Sequence, residues 1–233
     1  MVEVISVKEH PSYRNVYIVE LEDGSVRLAT RNLTPGRRVY GEWLFNYGDT
    51  EYREWNHIRS KLAASLYKGI KELVITKGSK VLYLGAGSGT TASHISDIVG
   101  NEGYIYAVEF APRVMRELVS VADYRKNIIP ILADARFPGR YSHIVPTTDV
   151  LYADVAQPEQ ASIVVANAKL FLKKGGYLYL AIKARSIDVT KEPDEIYLRE
   201  IGTLERGGFE VLDVVHLDPY DKDHAMVFAV YKD

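Results

Sequence analysis

Hydrophobic residues near the start of the chain fall in short runs separated by turn residues. Two such runs, 16–21 and 26–29, flank the sequence Glu22-Asp23-Gly24-Ser25. An Asp-Gly pair between two apolar runs is typical of a β-hairpin with a tight turn. We therefore predict that residues 1–55 form a small antiparallel β domain.

From residue 80 onward, apolar runs of strand length alternate with segments that have a helical period. Strands are predicted at 80–84, 104–109, 128–133, 149–154 and 177–183, and helices at 88–98, 112–122, 158–171 and 194–206. This alternation indicates βαβ units and a mostly parallel α/β sheet of the Rossmann-like kind. The last two runs, 209–217 and 225–231, have no helix between them, so we expect an antiparallel hairpin at one edge.

The segment between these two parts carries a helical pattern. Four aliphatic residues recur there at every fourth position: Ile58, Leu62, Leu66 and Ile70. This spacing places side chains on one face of an α-helix. We predict a helix over 56–75, which begins a second domain of residues 56–233.

Both tryptophans lie in an aromatic-rich stretch just before that helix. The stretch contains Tyr40, Trp43, Phe45, Tyr47, Tyr52 and Trp55. We expect these side chains to pack the small sheet against the main domain. A platform for stacking bases, or a surface for a partner, is the alternative interpretation.

Composition and charge exclude several classes of protein. Apolar residues make up 47% and charged residues 26% of the 233 positions, and the net charge is −2, unlike a strongly basic nucleic-acid-binding protein. No run approaches the roughly 18 apolar residues of a membrane helix, and no secretory signal is recognised, so a cytoplasmic protein is expected. Because cysteine is absent, disulfides and thiolate metal sites are excluded, and no metal site is predicted.

A glycine-rich loop directly follows the first strand of the predicted parallel sheet. It reads Gly85-Ala86-Gly87-Ser88-Gly89-Thr90-Thr91 and opens a helix, an arrangement that lets backbone amides approach a nucleotide-like ligand. Dinucleotide-binding proteins have a third glycine where Thr90 stands here. The spacing looks instead like motif I of the class I methyltransferases, which bind S-adenosylmethionine. A nicotinamide oxidoreductase is the weaker interpretation.

Acidic residues stand at the ends of the next two strands. Glu109 ends the second strand, where a carboxylate can accept hydrogen bonds from both ribose hydroxyls of an adenosine. Asp134 and Ala135 follow the third strand, and we expect them to contact the adenine amino group. Together with the glycine loop, these strand ends predict an adenosine site at the carboxyl edge of the sheet.

Four charged residues are candidates for catalysis. Lys61 lies on the predicted first helix, Asp154 and Lys183 end the fourth and fifth strands, and His224 lies at the start of the last strand. An isolated lysine is usually solvated, and a strand-end histidine usually has only a structural hydrogen bond. Asp154 and Lys183 carry more weight because neighbouring strands can bring them within ion-pair distance.

The sequence resembles the fibrillarin family over nearly its whole length. The resemblance is carried by 59–64, by the loop 85–91, and by Val108-Glu109-Phe110, Ala133-Asp134-Ala135-Arg136, Asp154-Val155-Ala156-Gln157-Pro158, Ile182-Lys183-Ala184-Arg185-Ser186 and Leu217-Asp218-Pro219-Tyr220. No Gly/Arg-rich stretch precedes the β-rich region, so the archaeal type of the family is expected.

The resemblance implies a ribose 2′-O-methyltransferase that acts on rRNA and tRNA and uses S-adenosylmethionine. It implies a catalytic tetrad of Lys61, Asp154, Lys183 and His224. It also implies cofactor contacts from Gly85, Gly87, Thr90, Thr91, Glu109, Phe110, Asp134, Ala135, Asp154, Val155, Ala156 and Gln157. The implied partners are a box C/D guide RNA with its target RNA, a Nop-type scaffold protein and a kink-turn-binding protein.

Two questions stay open at the level of sequence. The acceptor could be a protein side chain instead of RNA, or the chain could be a non-catalytic scaffold of a ribonucleoprotein. For the RNA methyltransferase, we expect Lys183, in its neutral form and oriented by Asp154, to remove the 2′-hydroxyl proton. The alternative is that Asp154 is the base and the lysines only stabilise charge. Lys61 and His224 are expected to hold the ribose and phosphate.

Overall fold

Residues 3–233 are described by the computed structural model, and its first part is a five-stranded antiparallel sheet. The strands are β1 (Val4–Glu9), β2 (Tyr17–Leu21), β3 (Val26–Arg31), β4 (Leu44–Tyr47) and β5 (Thr50–Glu54), in the order β1-β2-β3-β5-β4. The predicted hairpin is β2 with β3, and Gly24 supplies the positive φ of +78° at its turn. That residues 1–55 form a separate domain stays a prediction.

Aromatic side chains form much of the packing in and around this small sheet. Phe45 stacks between Trp43 and Tyr52, and both Phe45 and Tyr52 are buried. Trp55 is fully buried in the core that the small sheet shares with the main part of the chain. The expected packing of the small sheet against the main part of the chain is therefore seen for Trp55. Trp43, Phe45 and Tyr52 pack within the small sheet itself, and Tyr47 is exposed.

The second sheet has seven strands and is mostly parallel. Its strands are β6 (Lys80–Leu84), β7 (Tyr104–Glu109), β8 (Ile128–Leu132), β9 (Thr148–Ala153), β10 (Leu172–Lys183), β11 (Phe209–His216) and β12 (His224–Tyr231). The order is β11-β12-β10-β9-β6-β7-β8, and β12 runs antiparallel to both of its neighbours. The α/β fold with an antiparallel edge hairpin is confirmed.

Helices cover both faces of the large sheet. They are α1 (Lys61–Tyr67), α2 (Thr90–Val99), α3 (Pro112–Ala122), α4 (Gln160–Phe171), the short α5 (Ala184–Ile187) and α6 (Pro193–Arg206). The first three pack into the core on one face, and α4 and α6 into the core on the other. Among the described residues, no helix combines the length and apolar character needed to cross a membrane.

The helix predicted over 56–75 is much shorter than expected. It covers only Lys61–Tyr67, and Ile58 is 63% exposed instead of facing the core. The helix ends because Gly69 adopts a left-handed φ of +77°. Ile70 is buried, but it belongs to an irregular segment beyond that glycine. The predicted length was wrong because Ile70 is buried in an irregular segment and has the helical spacing only by coincidence.

Candidate active site

A cavity of about 420 Å³ lies at the carboxyl ends of the central strands. Strands β6, β7, β9 and β10 run parallel, so the loops that follow them meet at one edge of the sheet. The volume is within the range of small-molecule sites. The lining consists of Gly85, Gly87, Val108, Glu109, Phe110, Ala111, Val114, Ala133, Ala135, Asp154, Val155, Ala156, Gln157 and Lys183.

The glycines of the loop after β6 have two different roles. A side chain at Gly85 would place its Cβ 2.6 Å from the carbonyl oxygen of Asp154, so this glycine permits close packing of the loop on the end of β9. A Cβ at Gly87 would meet no atom within 4 Å. Gly87 therefore leaves open space beside the cavity, and Gly85 fixes the position of Asp154.

Glu109 presents an oriented carboxylate at the end of β7. Its Oε2 accepts a hydrogen bond from the Gly87 amide at 3.0 Å, and its Oε1 accepts one from the Ala111 amide at 2.9 Å. Glu109 is 7% exposed and lines the cavity. Each carboxylate oxygen can accept a further bond, so the group suits a ligand with two adjacent hydroxyls.

Thr91 connects the glycine loop to the helix that carries Lys61. Its Oγ1 lies 2.9 Å from the Oγ of Ser60, the residue that caps the N-terminus of α1. Ser60 also accepts a hydrogen bond of 3.0 Å from the indole Nε1 of Trp55. Thr91 therefore links the loop to the residue that precedes Lys61. Thr90 and Thr91 lie outside the cavity lining, and their expected contacts with a cofactor stay a prediction.

Asp134 also lies outside that lining, although its neighbours Ala133 and Ala135 are part of it. The Arg136 guanidinium binds both oxygens of its carboxylate, with the shortest separation 2.7 Å. Hydrogen bonds from Arg136 lower the pKa of Asp134 below its ordinary value. The expected contact between Asp134 and an adenine amino group stays a prediction.

The four predicted catalytic residues come together at one end of the cavity. The Nζ of Lys183 lies 2.7 Å from Oδ1 of Asp154, and the Nζ of Lys61 lies 3.4 Å from Oδ2. His224 is the cross-strand partner of Lys183 in the pairing of β10 with β12. Residues that are far apart in sequence therefore form one charged group, as the sequence predicted.

Lys183 contacts Asp154 at two points. Its Nζ lies 2.7 Å from Oδ1 and donates a hydrogen bond of 3.1 Å to the Asp154 backbone carbonyl. At 2.7 Å the two side chains form an ion pair. Both residues line the cavity, so this ion pair lies at the cavity wall.

Lys61 is held in its charged form. Burial opposes its charge, but Asp154 and Asp221 together outweigh burial and raise the pKa of Lys61 above its ordinary value. A charged Lys61 cannot accept a proton from a substrate. It can donate hydrogen bonds and stabilise negative charge.

Asp221 is the member of the group that sequence reasoning missed. Its Oδ2 lies 3.4 Å from the Lys61 Nζ, and its Oδ1 lies 3.0 Å from the Nδ1 of His224. The available signal was its position three residues before His224. An aspartate in a loop rich in charged residues is usually solvated, so this spacing alone gave no reason to select it.

Comparison with known proteins identifies the family of this chain. The Fibrillarin family model matches residues 7–233. A protein of Aeropyrum pernix named fibrillarin-like rRNA/tRNA 2′-O-methyltransferase is 65% identical over 232 residues, covering 100% of both chains.

Solved structures of the family superpose on this chain along nearly its whole length. Aeropyrum pernix fibrillarin, in complex with natively bound S-adenosyl-L-methionine, is 65% identical with a TM-score of 0.93, and the match covers 99% of this chain and 100% of that one. A fibrillarin/Nop5p complex contains a chain that is 42% identical with a TM-score of 0.84, covering 97% and 100%. The chain belongs to the fibrillarin family.

Proposed function

We propose that this chain methylates ribose 2′-hydroxyls of rRNA and tRNA with S-adenosylmethionine, at nucleotides selected by a box C/D guide RNA. The observation that carries the proposal is the group Lys61, Asp154, Lys183 and His224 at the end of a nucleotide-sized cavity. Relatives with the same fold are named for this activity, and one holds the cofactor. A methyltransferase acting on protein side chains, and a non-catalytic scaffold, have no comparable support.

The residues around the cavity fit an adenosyl group with a methionine tail. Glu109 offers a carboxylate for the two ribose hydroxyls, and Val108, Val114 and Ala135 offer apolar contacts for a flat base. Phe110, Val155, Ala156 and Gln157 complete the proposed contacts, with Gly85 and Gly87 giving close access to backbone. When bound, S-adenosylmethionine supplies an electrophilic methyl group on a positively charged sulfur.

The charged group would prepare the acceptor. A ribose 2′-hydroxyl is a weak nucleophile, so its proton would have to leave as its oxygen bonds to the methyl carbon and the bond between that carbon and the sulfur breaks, with the neutral thioether as leaving group. We infer that Asp154 or a neutral Lys183 takes that proton, since both lie at the cavity. Lys61, held in its charged form, would stabilise the negative charge that develops on the oxygen.

Partner proteins would supply much of the affinity for RNA. Its net charge of −2 gives little general attraction for phosphates. A relative has been crystallised with Nop5p, so we propose a Nop-type scaffold as the direct partner. The guide RNA and a kink-turn-binding protein would complete the particle, and we place this particle in the cytoplasm of an archaeal cell.

Reconstitution tests the proposed function. The chain is combined with a Nop-type scaffold, a kink-turn-binding protein, a guide RNA and a target RNA, together with S-adenosylmethionine labelled in its methyl group. We expect label at the nucleotide selected by the guide. The matched control is a target with a single 2′-deoxyribose at that nucleotide, which has no acceptor oxygen and should stay unlabelled.

Two outcomes would contradict the proposal. Equal labelling of the deoxyribose target would show that the 2′-hydroxyl is not the acceptor. Label in the protein components, independent of guide RNA, would favour methylation of protein side chains instead.

A further inference from the structure

Asp221 lies in the loop between β11 and β12, and both oxygens of its carboxylate contact the charged group. Building on the proposed function, we propose that Asp221 is a positioning residue for methyl transfer. One oxygen holds Lys61 against Asp154, and the other orients His224. The group is then a chain of contacts that runs from Lys183 through Asp154, Lys61 and Asp221 to His224.

The balance of charge explains why a second carboxylate is needed. Lys183 and Lys61 both contact Asp154, at 2.7 Å and 3.4 Å, and their side chains are at most 20% exposed. Lys61 is held in its charged form, and in poorly solvated surroundings it shares Asp154 with Lys183. Asp221 supplies Lys61 with a second carboxylate oxygen, at 3.4 Å.

The contacts of Asp221 also determine how the His224 ring is protonated. The Nδ1 of His224 lies 2.7 Å from the backbone carbonyl of Lys222 and 3.0 Å from Oδ1 of Asp221. The hydrogen bond from His224 and the charge of Lys61 outweigh the effect of burial, so the pKa of Asp221 is lowered and its carboxylate is ionised. Both neighbours can only accept, so Nδ1 must carry the hydrogen, and in the neutral ring Nε2 is the acceptor.

Backbone hydrogen bonds hold this loop without help from the Asp221 carboxylate. The carbonyl of Leu217 accepts bonds from the amides of Tyr220 and Asp221, at 2.9 Å and 3.1 Å. The Leu217 amide donates to the carbonyl of His224 at 2.9 Å. The ionic contacts of Asp221 go only to Lys61 and His224 among the described residues. Its side chain therefore acts on the charged group more than on the loop.

Asp223 offers a matched control in the same loop. Its carboxylate binds the Nε of Arg185 at 3.1 Å and contacts no member of the charged group within the described part of the chain. Its φ of +58° is one that asparagine also adopts readily. The substitution Asp223→Asn therefore removes one negative charge from this loop without touching Lys61 or His224.

The test compares Asp221→Asn, Asp221→Glu and Asp223→Asn in the reconstituted particle. Single-turnover methylation rates are measured at saturating S-adenosylmethionine, with cofactor affinity and thermal unfolding measured for each variant. We expect Asp221→Asn to lower the rate about 10- to 100-fold, because Lys61 and His224 lose their fixed positions. Cofactor affinity should be unchanged. Asp221→Glu should recover most of the rate, and Asp223→Asn should match the wild type.

A wild-type rate in Asp221→Asn would overturn the inference and leave the proposed function intact. Equal losses in Asp221→Asn and Asp223→Asn would also overturn it, since the loop as a whole would then be responsible. An inactive wild-type particle would count against the proposed function itself. If Asp221→Asn fails to fold, the rate of Asp221→Glu tests the inference. A folded Asp221→Glu variant with most of the wild-type rate supports the positioning role. A folded Asp221→Glu variant with a low rate contradicts it.

Discussion

Two groups of ionisable side chains among the described residues differ in their surroundings. One joins the small sheet to α2: Arg53 lies between Glu42 and Asp97, and Arg125 binds the other oxygen of Asp97, with all four side chains fully buried. The other is the group around Asp154, whose five side chains keep 16–33% of their surface exposed.

The difference shows how burial separates a structural group of charges from one that can act on a substrate. Asp97 accepts hydrogen bonds from Thr30, Leu33, Arg53 and Arg125, which leaves no room for a ligand. Asp154 lines a cavity together with Lys183, and its side chain keeps 16% of its surface exposed. The first group can only stabilise the fold, whereas the second retains capacity to bind and to accept a proton.

The largest expected effect is on stability, from Arg53→Met. Removing this cation leaves Glu42 and Asp97 buried without their partner, so the free energy of unfolding should fall by about 3–5 kcal/mol. Denaturant unfolding measures the loss. Arg27→Met is the control, because Arg27 pairs with Glu54 at the surface and is 40% exposed, and it should cost less than about 1 kcal/mol. Equal losses of unfolding free energy in Arg53→Met and Arg27→Met would show that the buried ion pairs matter no more for stability than the exposed one.

Asp154→Asn should have the next largest effect, on rate. Loss of this carboxylate removes a candidate base and the partner of both lysines, so single-turnover methylation should slow about 10²- to 10³-fold. That corresponds to about 3–4 kcal/mol in the barrier. Asp149→Asn is the control, since Asp149 lies near the opposite end of β9 and pairs with Lys173. A normal rate in Asp154→Asn would exclude Asp154 as the base.

Ser60→Ala tests the link between the glycine loop and Lys61. The change removes a helix cap and leaves Trp55 and Thr91 without a hydrogen-bond partner, so the free energy of unfolding should fall by about 2 kcal/mol. Methylation should slow as well, because α1 carries Lys61. Ser65→Ala is the control within the same helix, since the Ser65 hydroxyl donates only to the Leu62 carbonyl. A smaller loss of unfolding free energy in Ser60→Ala than in Ser65→Ala would contradict the proposed link between the glycine loop and Lys61.

The smallest predicted effect is a pH dependence of the free energy of unfolding, and it comes from His94, which lies beside the buried group of charges. Burial, followed by the charges of Arg53 and Arg125, lowers the pKa of His94 well below 6.5. The unfolded chain therefore gains a proton below pH 6.5 that the folded chain does not bind. Above pH 6.5 neutral His94 does not reduce the free energy of unfolding. Below pH 6.5 that free energy falls by about 1.4 kcal/mol per pH unit, until the pH reaches the pKa of His94 in the folded chain.

The variant His94→Gln isolates this contribution. Free energies of unfolding are compared at about pH 7.5 and about pH 5.5. We expect the wild type to lose more stability than the variant between the two values, by about 1.4 kcal/mol. An identical pH dependence in the two proteins would show that His94 is protonated in the folded state.

The sequence predicted the large sheet well because parallel strands are buried on both faces. Runs such as 80–84 and 177–183 are almost wholly apolar, which is the pattern such strands require. The helix at 56–75 was predicted poorly because Ile70 is buried in irregular chain. The Tyr179 hydroxyl holds that segment by donating a hydrogen bond to the Glu72 carbonyl and accepting one from the Val74 amide, and these contacts depend on tertiary structure.

The candidate site also has residues that the sequence predicts and residues that it does not. Glu109, Asp154 and Lys183 could be predicted because each stands at the end of a strand, where parallel topology brings side chains to one edge. Asp221 and the buried pair Arg53–Asp97 could not be predicted. Charged residues are usually solvated, and only the folded chain shows which of them lose water and which partners they gain.

The pairing of β10 with β12 sets a geometric limit on how this site can vary. Lys183 and His224 are direct cross-strand partners, so their backbone separation is fixed at about 5 Å by the hydrogen-bonded ladder. A slip of one residue in β12 would turn His224 to the opposite surface of the sheet. Insertions and deletions in the β11–β12 loop are therefore tolerable only if they preserve this alignment. The edge hairpin thus sets the distance between two reactive side chains.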